Sequence, residues 1–185
     1  MHQRMHHKER QMTNATEPKQ NDLLDQLFLA MIRFDNGDPK RIQHFTKVHS
    51  YARLIGRMEG LGEEALFNLE AAAYVHDIGI RVAESKYGYQ NGQLQEQEGP
   101  AAAEELMKPL GFSQDTIERV RFLVGHHHTY TDIDSADYQI LVEADFLVNL
   151  FEDGESQEAA AKVRERIFRT ESGKRILNEM FGLDG

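Results

Sequence analysis

The stretch that decides the fold is residues 66–79, LFNLEAAAYVHDIG, an apolar helical run that ends in a histidine, an aspartate and a glycine. Ionisable side chains beside a core cost free energy unless they are paired, hydrogen-bonded or bound to a metal ion. Histidine and aspartate are also ligand types that divalent metal ions use. The pair His76-Asp77 gains weight because further candidate ligands recur in three other segments: His44, His126-His127-His128 and Asp145.

The composition is that of an ordinary globular protein. The chain has 185 residues, of which 40% are hydrophobic and 28% charged, which suits one domain with a substantial core. It contains no apolar run of about 18 residues, so no membrane span is expected. The formal net charge of −10 argues against a nucleic-acid polymer as partner, because such a partner needs a basic stripe. A small phosphorylated substrate remains compatible, since a few local cations can hold one phosphate.

The absence of cysteine limits which residues can be metal ligands, and the polar start of the chain bears on the cellular compartment. With no cysteine, a metal site must consist of His, Asp, Glu and water. Residues 1–20 have no apolar segment of the secretory kind, and we interpret them as a disordered leader. Together these features predict a cytoplasmic protein.

Helical spacing of apolar residues predicts an all-α fold, a single compact multi-helix domain over residues 21–185. Asp38-Pro39 marks a helix start, with Asp38 as the N-cap and Pro39 in the first turn. Ser113 and Ser135 are expected to begin two later helices. Residues 81–95 contain several glycines and aromatic residues and are interpreted as a long loop, after which Pro100 is expected to open a helix.

Each candidate ligand also has an ordinary structural interpretation. His44 lies on an amphipathic helix, where a lone histidine is usually a satisfied core or boundary residue. Asp145 falls on the apolar stripe of its helix, where a carboxylate needs either a buried salt bridge or a metal ion. His127 continues the inward face of the preceding helix, His126 lies about a third of a turn away, and His128 is expected to be exposed or to cap the helix.

The four motifs, in this order and on helices, resemble the HD-domain superfamily of metal-dependent phosphohydrolases over about residues 40–152. The motifs are His44-x3-Val48-x3-Ala52, His76-Asp77-Ile78-Gly79, the three histidines at 126–128, and Ala144-Asp145. The resemblance implies one divalent ion bound by His44, His76, Asp77 and Asp145. It also implies that His126 and His127 hold a second ion or contact phosphate, and Glu98 is a further candidate for the second ion or a solvated carboxylate at a helix start.

The sequence departs from the usual motifs of this superfamily at three places, and these bear on the expected activity. Two-metal members often carry another histidine after the loop, where this chain has Gln97-Glu98-Gly99-Pro100. The sequence Thr129-Tyr130-Thr131-Asp132 stands where a Gly-Tyr-Pro signature would indicate a cyclic dinucleotide phosphodiesterase. The frequent lysine after His-Asp-x-Gly is replaced by Ile80, with Arg81 one residue later.

These motifs lead to a hypothesis of metal-dependent hydrolysis of a nucleotide-like or other small phosphate ester. The ion, one or two of Mn, Co, Ni, Fe, Zn or Mg, would activate water, and Asp77 would be both ligand and general base. Arg41, Arg81 and Lys86 are the candidate phosphate contacts. Two alternatives are a di-iron oxygenase and a non-catalytic metal- or ligand-sensing domain. The sequence also leaves the oligomeric state open, with a homo-oligomer as one candidate.

Overall fold

The computed structural model describes residues 19–184, and within this range the chain forms nine α-helices and one short 3-10 helix, with no strand. The helices are α1 (Gln20–Phe34), α2 (Pro39–Met58), α3 (Glu63–Val75), α4 (Gly79–Tyr87), α5 (Gly92–Met107), α6 (Gln114–Val124), α7 (Ala136–Glu152), α8 (Gln157–Ile167) and α9 (Glu171–Phe181), with the 3-10 turn at Lys108–Leu110. The predicted all-α fold is confirmed. The predicted leader lies outside the described residues except for its last two positions, so that boundary stays a prediction.

Helix α3 is the centre of the fold. Its residues from Phe67 to Val75 are all buried, and all but Asn68 and Glu70 are apolar, which is expected of a central helix that packs on most of its faces. Helices α1, α2, α6 and α7 pack around it, and α2 also packs directly against α7. The end of α3 therefore delivers His76 into the interior between α2 and α7. None of the described helices is both long and apolar enough to cross a membrane.

Side-chain caps fix where two helices near the site, α2 and α6, begin. The Asp38 carboxylate accepts a hydrogen bond from the backbone N–H of Arg41 at 3.0 Å, with Pro39 in the first turn, as predicted. The Ser113 hydroxyl accepts from the N–H of Thr116 at 3.2 Å, which confirms the predicted start of α6. These caps fix the starts of the helix that carries His44 and of the helix that leads to the histidines at 126–128.

The long loop predicted over residues 81–95 is wrong. Helix α4 runs through the first half of that segment, and Gly88 ends it in the left-handed region at φ 80°. Asn91 then starts α5 by accepting from the N–H of Leu94 at 2.9 Å. Only residues 88–91 link the two helices. Pro100 accordingly lies inside α5 and does not open it, and its missing N–H leaves the Glu96 carbonyl without the usual helical donor.

Two glycines in this region serve helix packing. A Cβ atom on Gly79 would overlap the carbonyl oxygen of Gln95, and one on Gly99 would lie 2.6 Å from the Val124 Cγ1 atom. Both positions need glycine because α4, α5 and α6 approach one another too closely for a side chain. The glycines that suggested a loop are different ones, since Gly88 ends α4 and Gly92 is the first residue of α5.

Candidate metal centre

Three helices bring together two histidines and an aspartate in the interior. His44 comes from the middle of α2, His76 directly follows α3, and Asp145 comes from the middle of α7. The Nε2 atom of His44 lies 3.2 Å from both His76 Nε2 and Asp145 Oδ1, and His76 Nε2 lies 3.5 Å from the same oxygen. All three side chains are less than a tenth exposed. This geometry places three ligand atoms around one point, as a metal ion requires.

Asp77 lies between this group and a second histidine group. Its Oδ2 atom is 3.3 Å from His44 Nε2 and 3.4 Å from His76 Nε2. Its Oδ1 atom is 3.3 Å from His127 Nε2. The Asp77 side chain is 18% exposed, more than the other three members of the predicted ligand set, so solvent reaches the centre at this carboxylate. The structure thus brings together all four residues that the sequence predicts as ligands.

Each buried imidazole is oriented through its other nitrogen. The Nδ1–H of His76 donates to the Ala73 carbonyl at 2.8 Å, and that of His127 donates to the Val124 carbonyl at 2.8 Å. The Nδ1–H of His44 donates to the Glu152 carboxylate at 2.9 Å. These bonds select the tautomer in which the Nε2 lone pair faces the centre, which is the form that binds metal.

The three adjacent histidines have separate roles. His127 is almost completely buried, and its Nε2 atom has no hydrogen-bond partner among the described residues. His128 is half-buried, not exposed as expected, and its ring lies 4.0 Å from that of His127. His126 turns away, donates through Nδ1 to the Phe122 carbonyl at 2.7 Å and stacks on the Phe122 ring. The second group is therefore Asp77, His127 and His128, and the predicted contribution of His126 is not seen.

The charges in the centre stabilise one another. Burial opposes protonation of His44 and His76, but the neighbouring carboxylates raise the pKa of His44 and raise that of His76 well above its usual value. Burial also opposes ionisation of Asp77, yet His76 and His127 hold the pKa of Asp77 well below its usual range. Burial also opposes ionisation of Asp145, but the two imidazoles that it contacts, those of His44 and His76, lower its pKa. Two carboxylates packed against imidazole Nε2 atoms thus require positive charge, which protons or a divalent cation can supply.

The donor set fits a divalent first-row metal. Imidazole nitrogen and carboxylate oxygen are suitable ligands for Mn, Fe, Co, Ni and Zn. The described residues contain no cysteine thiolate that could bind the ion instead. His128 supplies a neutral imidazole to the second group, because burial beside His127 lowers the pKa of His128 to about 4. Its Nε2–H donates to the Gln95 side chain at 2.7 Å, which leaves Nδ1 as the free lone pair.

Glu98 does not lie in either group. Its carboxylate accepts from Lys86 Nζ at 3.0 Å and from the Tyr87 hydroxyl at 2.7 Å. These two contacts hold the pKa of Glu98 below its usual value, with the pKa of Lys86 raised in return. The predicted role of Glu98 as a ligand to a second ion is therefore not supported by this geometry, and Lys86 is already paired.

The two candidate arginines differ in how firmly they are held. Arg41 donates to Glu84 at 2.8 Å and lies 3.5 Å from Asp38. Arg81 is more exposed, and its nearest oxygen atoms are the Asn36 carbonyl at 3.5 Å and Asp35 Oδ1 at 3.9 Å. Of the three predicted phosphate contacts, Arg81 thus has the weakest competing partners.

Sequence reasoning missed several residues around the centre. Glu152 lies seven positions after Asp145, two turns along the same face of α7, and that spacing was an available signal. Asn149 donates to Asp145 Oδ1 at 2.9 Å and has a similar signal at four positions. Asp35 is 3% exposed with an unpartnered Oδ1 atom, and burial raises its pKa. It lies directly after α1, where its sequence indicates only a turn.

Comparisons with known proteins give one family match and one similar solved structure. The family model described as HD domain matches residues 41–177. A crystal structure of a predicted HD superfamily hydrolase from an uncultured Thermotogales bacterium is similar in fold, with a TM-score of 0.58 and 26% sequence identity. The match covers 88% of this chain and 84% of that protein. No curated protein matches the chain.

Proposed function

Because this chain belongs to the HD domain family, we propose that it is a metal-dependent phosphohydrolase acting on a nucleotide-like or other small phosphate ester. The observation that carries this proposal is the position of Asp77. Its two oxygens face different histidine groups, His44 with His76 on one side and His127 on the other, each at 3.3–3.4 Å. A carboxylate so placed can bind metal while it remains open to solvent and substrate.

The residues that would hold the first ion are His44, His76, Asp77 and Asp145. Asp77, His127 and His128 would hold a second one. When bound, a divalent ion polarises a phosphoryl oxygen and lowers the pKa of water towards neutrality. The buried Nε2 atom of His127 supports this assignment, since it makes no hydrogen bond of good geometry and lies 3.3 Å from the carboxylate that would share the ion.

The chain's own residues then supply binding and proton transfer. Asp77 is the most exposed carboxylate of the set and accepts a proton from the attacking water as general base. His127 Nε2 faces the same carboxylate with its lone pair and is placed to hold an ion. Arg81, two residues into α4, presents a guanidinium to the phosphate because its present partners are distant.

The test is phosphate release from a panel of nucleotides and sugar phosphates with Mn, Co or Mg. We expect release that needs a divalent ion and is lost in Asp77→Ala. Asp115→Ala, an exposed carboxylate at the start of α6, is the matched control and should retain full activity. Full activity of a folded Asp77→Ala protein, or of the unchanged protein in excess chelator, would contradict the mechanism.

A second candidate function, a di-iron oxygenase, is supported by one observation. The two adjoining groups together contain six His and Asp residues, the number that two irons require, even without Glu98 and His126. Iron in the purified protein together with oxygen consumption would favour this function. Metal binding with neither phosphate release nor oxygen consumption would favour the sensing domain.

A further inference from the structure

His44 and His76 have their Nδ1 atoms held in two different ways. His76 donates to a backbone carbonyl one turn earlier, Ala73, so its orientation is built into the end of α3. His44 donates instead to the carboxylate of Glu152, the last residue of α7, which is 108 positions away along the chain. The orientation of the His44 ring therefore depends on a side chain from another helix.

Glu152 is in turn held by a lysine. Lys47 Nζ lies 2.7 Å from Glu152 Oε1, while Glu152 Oε2 accepts from His44. Lys47 follows His44 by one helical turn on α2, so both contacts tie the end of α7 to the same face of α2. About a third of the Lys47 side chain and of the Glu152 side chain is exposed. The contacts from Lys47 through Glu152 to His44 therefore connect the protein surface to the centre.

Helix stability does not explain a carboxylate at this position. The C-terminus of a helix carries partial negative charge, and an acidic side chain in the last turn is unfavourable there. Glu152 is that residue of α7, which has no basic residue in its last turn to compensate. Its favourable contacts are those with Lys47 and His44, and these contacts hold its pKa below the usual value against the effect of burial.

We propose that Glu152 is a positioning residue for the first metal ion, holding His44 in the ligating tautomer and orientation, with Lys47 fixing Glu152 in turn. The inference rests on the proposed function in so far as His44 is a ligand. A carboxylate that accepts the far N–H of a ligating imidazole orients the ring and increases the electron density on the nitrogen that binds the ion. Loss of such a partner typically weakens metal binding by about 10- to 100-fold.

The experiment measures Co²⁺ binding to the full chain by calorimetry and by the visible absorption of the bound ion. Glu152→Leu is expected to weaken binding by about 10- to 100-fold and to change the Co²⁺ spectrum. Glu152→Gln keeps an acceptor for the His44 N–H and should restore part of the affinity. Glu155→Leu, an exposed glutamate three residues later, is the matched control and should bind as the unchanged protein does.

Unchanged Co²⁺ affinity and spectrum in a folded Glu152→Leu protein would overturn the inference and leave the proposed function standing. Equal weakening by Glu155→Leu would overturn it as well. Should Glu152→Leu fail to fold, Lys47→Met removes the support of Glu152 together with a surface contact to the Phe151 ring. A Co²⁺ affinity within twofold of the original would then count against the proposal. Failure of the unchanged protein to bind Co²⁺, Mn²⁺, Zn²⁺ or Fe²⁺ would overturn the proposed function and this inference together.

Discussion

Metal binding to this centre should release protons, and the number can be worked out from the site. The neighbouring carboxylates raise the pKa of His44 and raise that of His76 well above the ordinary histidine value of 6.5. Each of these histidines therefore keeps its proton to a higher pH than an ordinary histidine does when no metal is bound. Both must be neutral at Nε2 to ligate, so up to two protons, one from each histidine, should leave for each ion bound.

The same number sets the pH dependence of affinity. Each displaced proton changes the dissociation constant about tenfold per pH unit, or about 1.4 kcal/mol, while the group remains protonated in the metal-free protein. Binding should therefore tighten as the pH rises, by at most about tenfold per pH unit where one proton is displaced and about 100-fold where two are. Above the raised pKa values of the histidines the dependence should level off, because no proton is then left to displace.

Calorimetric titration with Mn²⁺ or Co²⁺ in buffers of different ionisation enthalpy gives the proton count directly. His76→Gln should reduce the count, because it removes the histidine with the larger upward shift. His126→Gln is the control, since His126 faces Phe122 and not the centre, and should leave both count and affinity unchanged. Proton release near zero at pH 7 with tight metal binding would refute the charge assignment of the centre.

Three further predictions concern packing, pH and ligand choice. Gly79→Ala should lower the free energy of unfolding, measured by urea titration, by about 1–3 kcal/mol or more, because the added Cβ meets the backbone of Gln95. Gly62→Ala is the control: there is open space around Gly62, so the free energy of unfolding should change little. Burial raises the pKa of Asp35, so the folded protein favours the neutral carboxyl. Asp35 therefore costs no stability below about pH 4, where the carboxyl is neutral in both states, and it destabilises the protein as the pH rises through the raised pKa. Asp35→Asn should accordingly raise the melting temperature at pH 7, by an amount that shrinks towards pH 4, and a lower melting temperature at pH 7 would contradict this. Glu98→Gln should leave the bound metal per chain unchanged in elemental analysis, because that carboxylate is held by other side chains, and a loss of one ion would restore it as a ligand.

Helical periodicity carried much of what could be predicted from the sequence. His44 and Asp145 lie on the apolar faces of α2 and α7, and a residue on such a face must point inward once the helix packs. The cap at Asp38 fixed the start of α2 from local chemistry alone. Periodicity does not show which inward-facing residues meet, and that step came from the order of the motifs and their resemblance to a known superfamily.

The histidine run shows where helical reasoning stops. Helix α6 ends at Val124, and residues 125–128 form turns, so a rotation of 100° per residue no longer applies to them. His127 and His128 consequently lie side by side, while His126 stacks on Phe122. The loop prediction for residues 81–95 failed because Gly88 and Gly92 were taken as marks of an extended loop. They stand only at the junction of two helices, where Gly88 ends α4 and α5 begins at Gly92.

Helix α7 shows why a buried carboxylate does not identify a metal site by itself. Glu143 and Asp145 are both buried, but they stand two residues apart and face opposite sides of the helix. The Oε1 atom of Glu143 accepts from the backbone N–H groups of Arg169 at 2.7 Å and Thr170 at 2.9 Å, and its Oε2 atom accepts from the Thr170 hydroxyl. The chain leading into α9 thus supplies donors to both oxygens. Asp145 instead meets imidazole Nε2 atoms, which can release protons and bind an ion in their place. The identity of the donors, and not burial or charge, therefore separates the structural acid from the metal ligand on this helix.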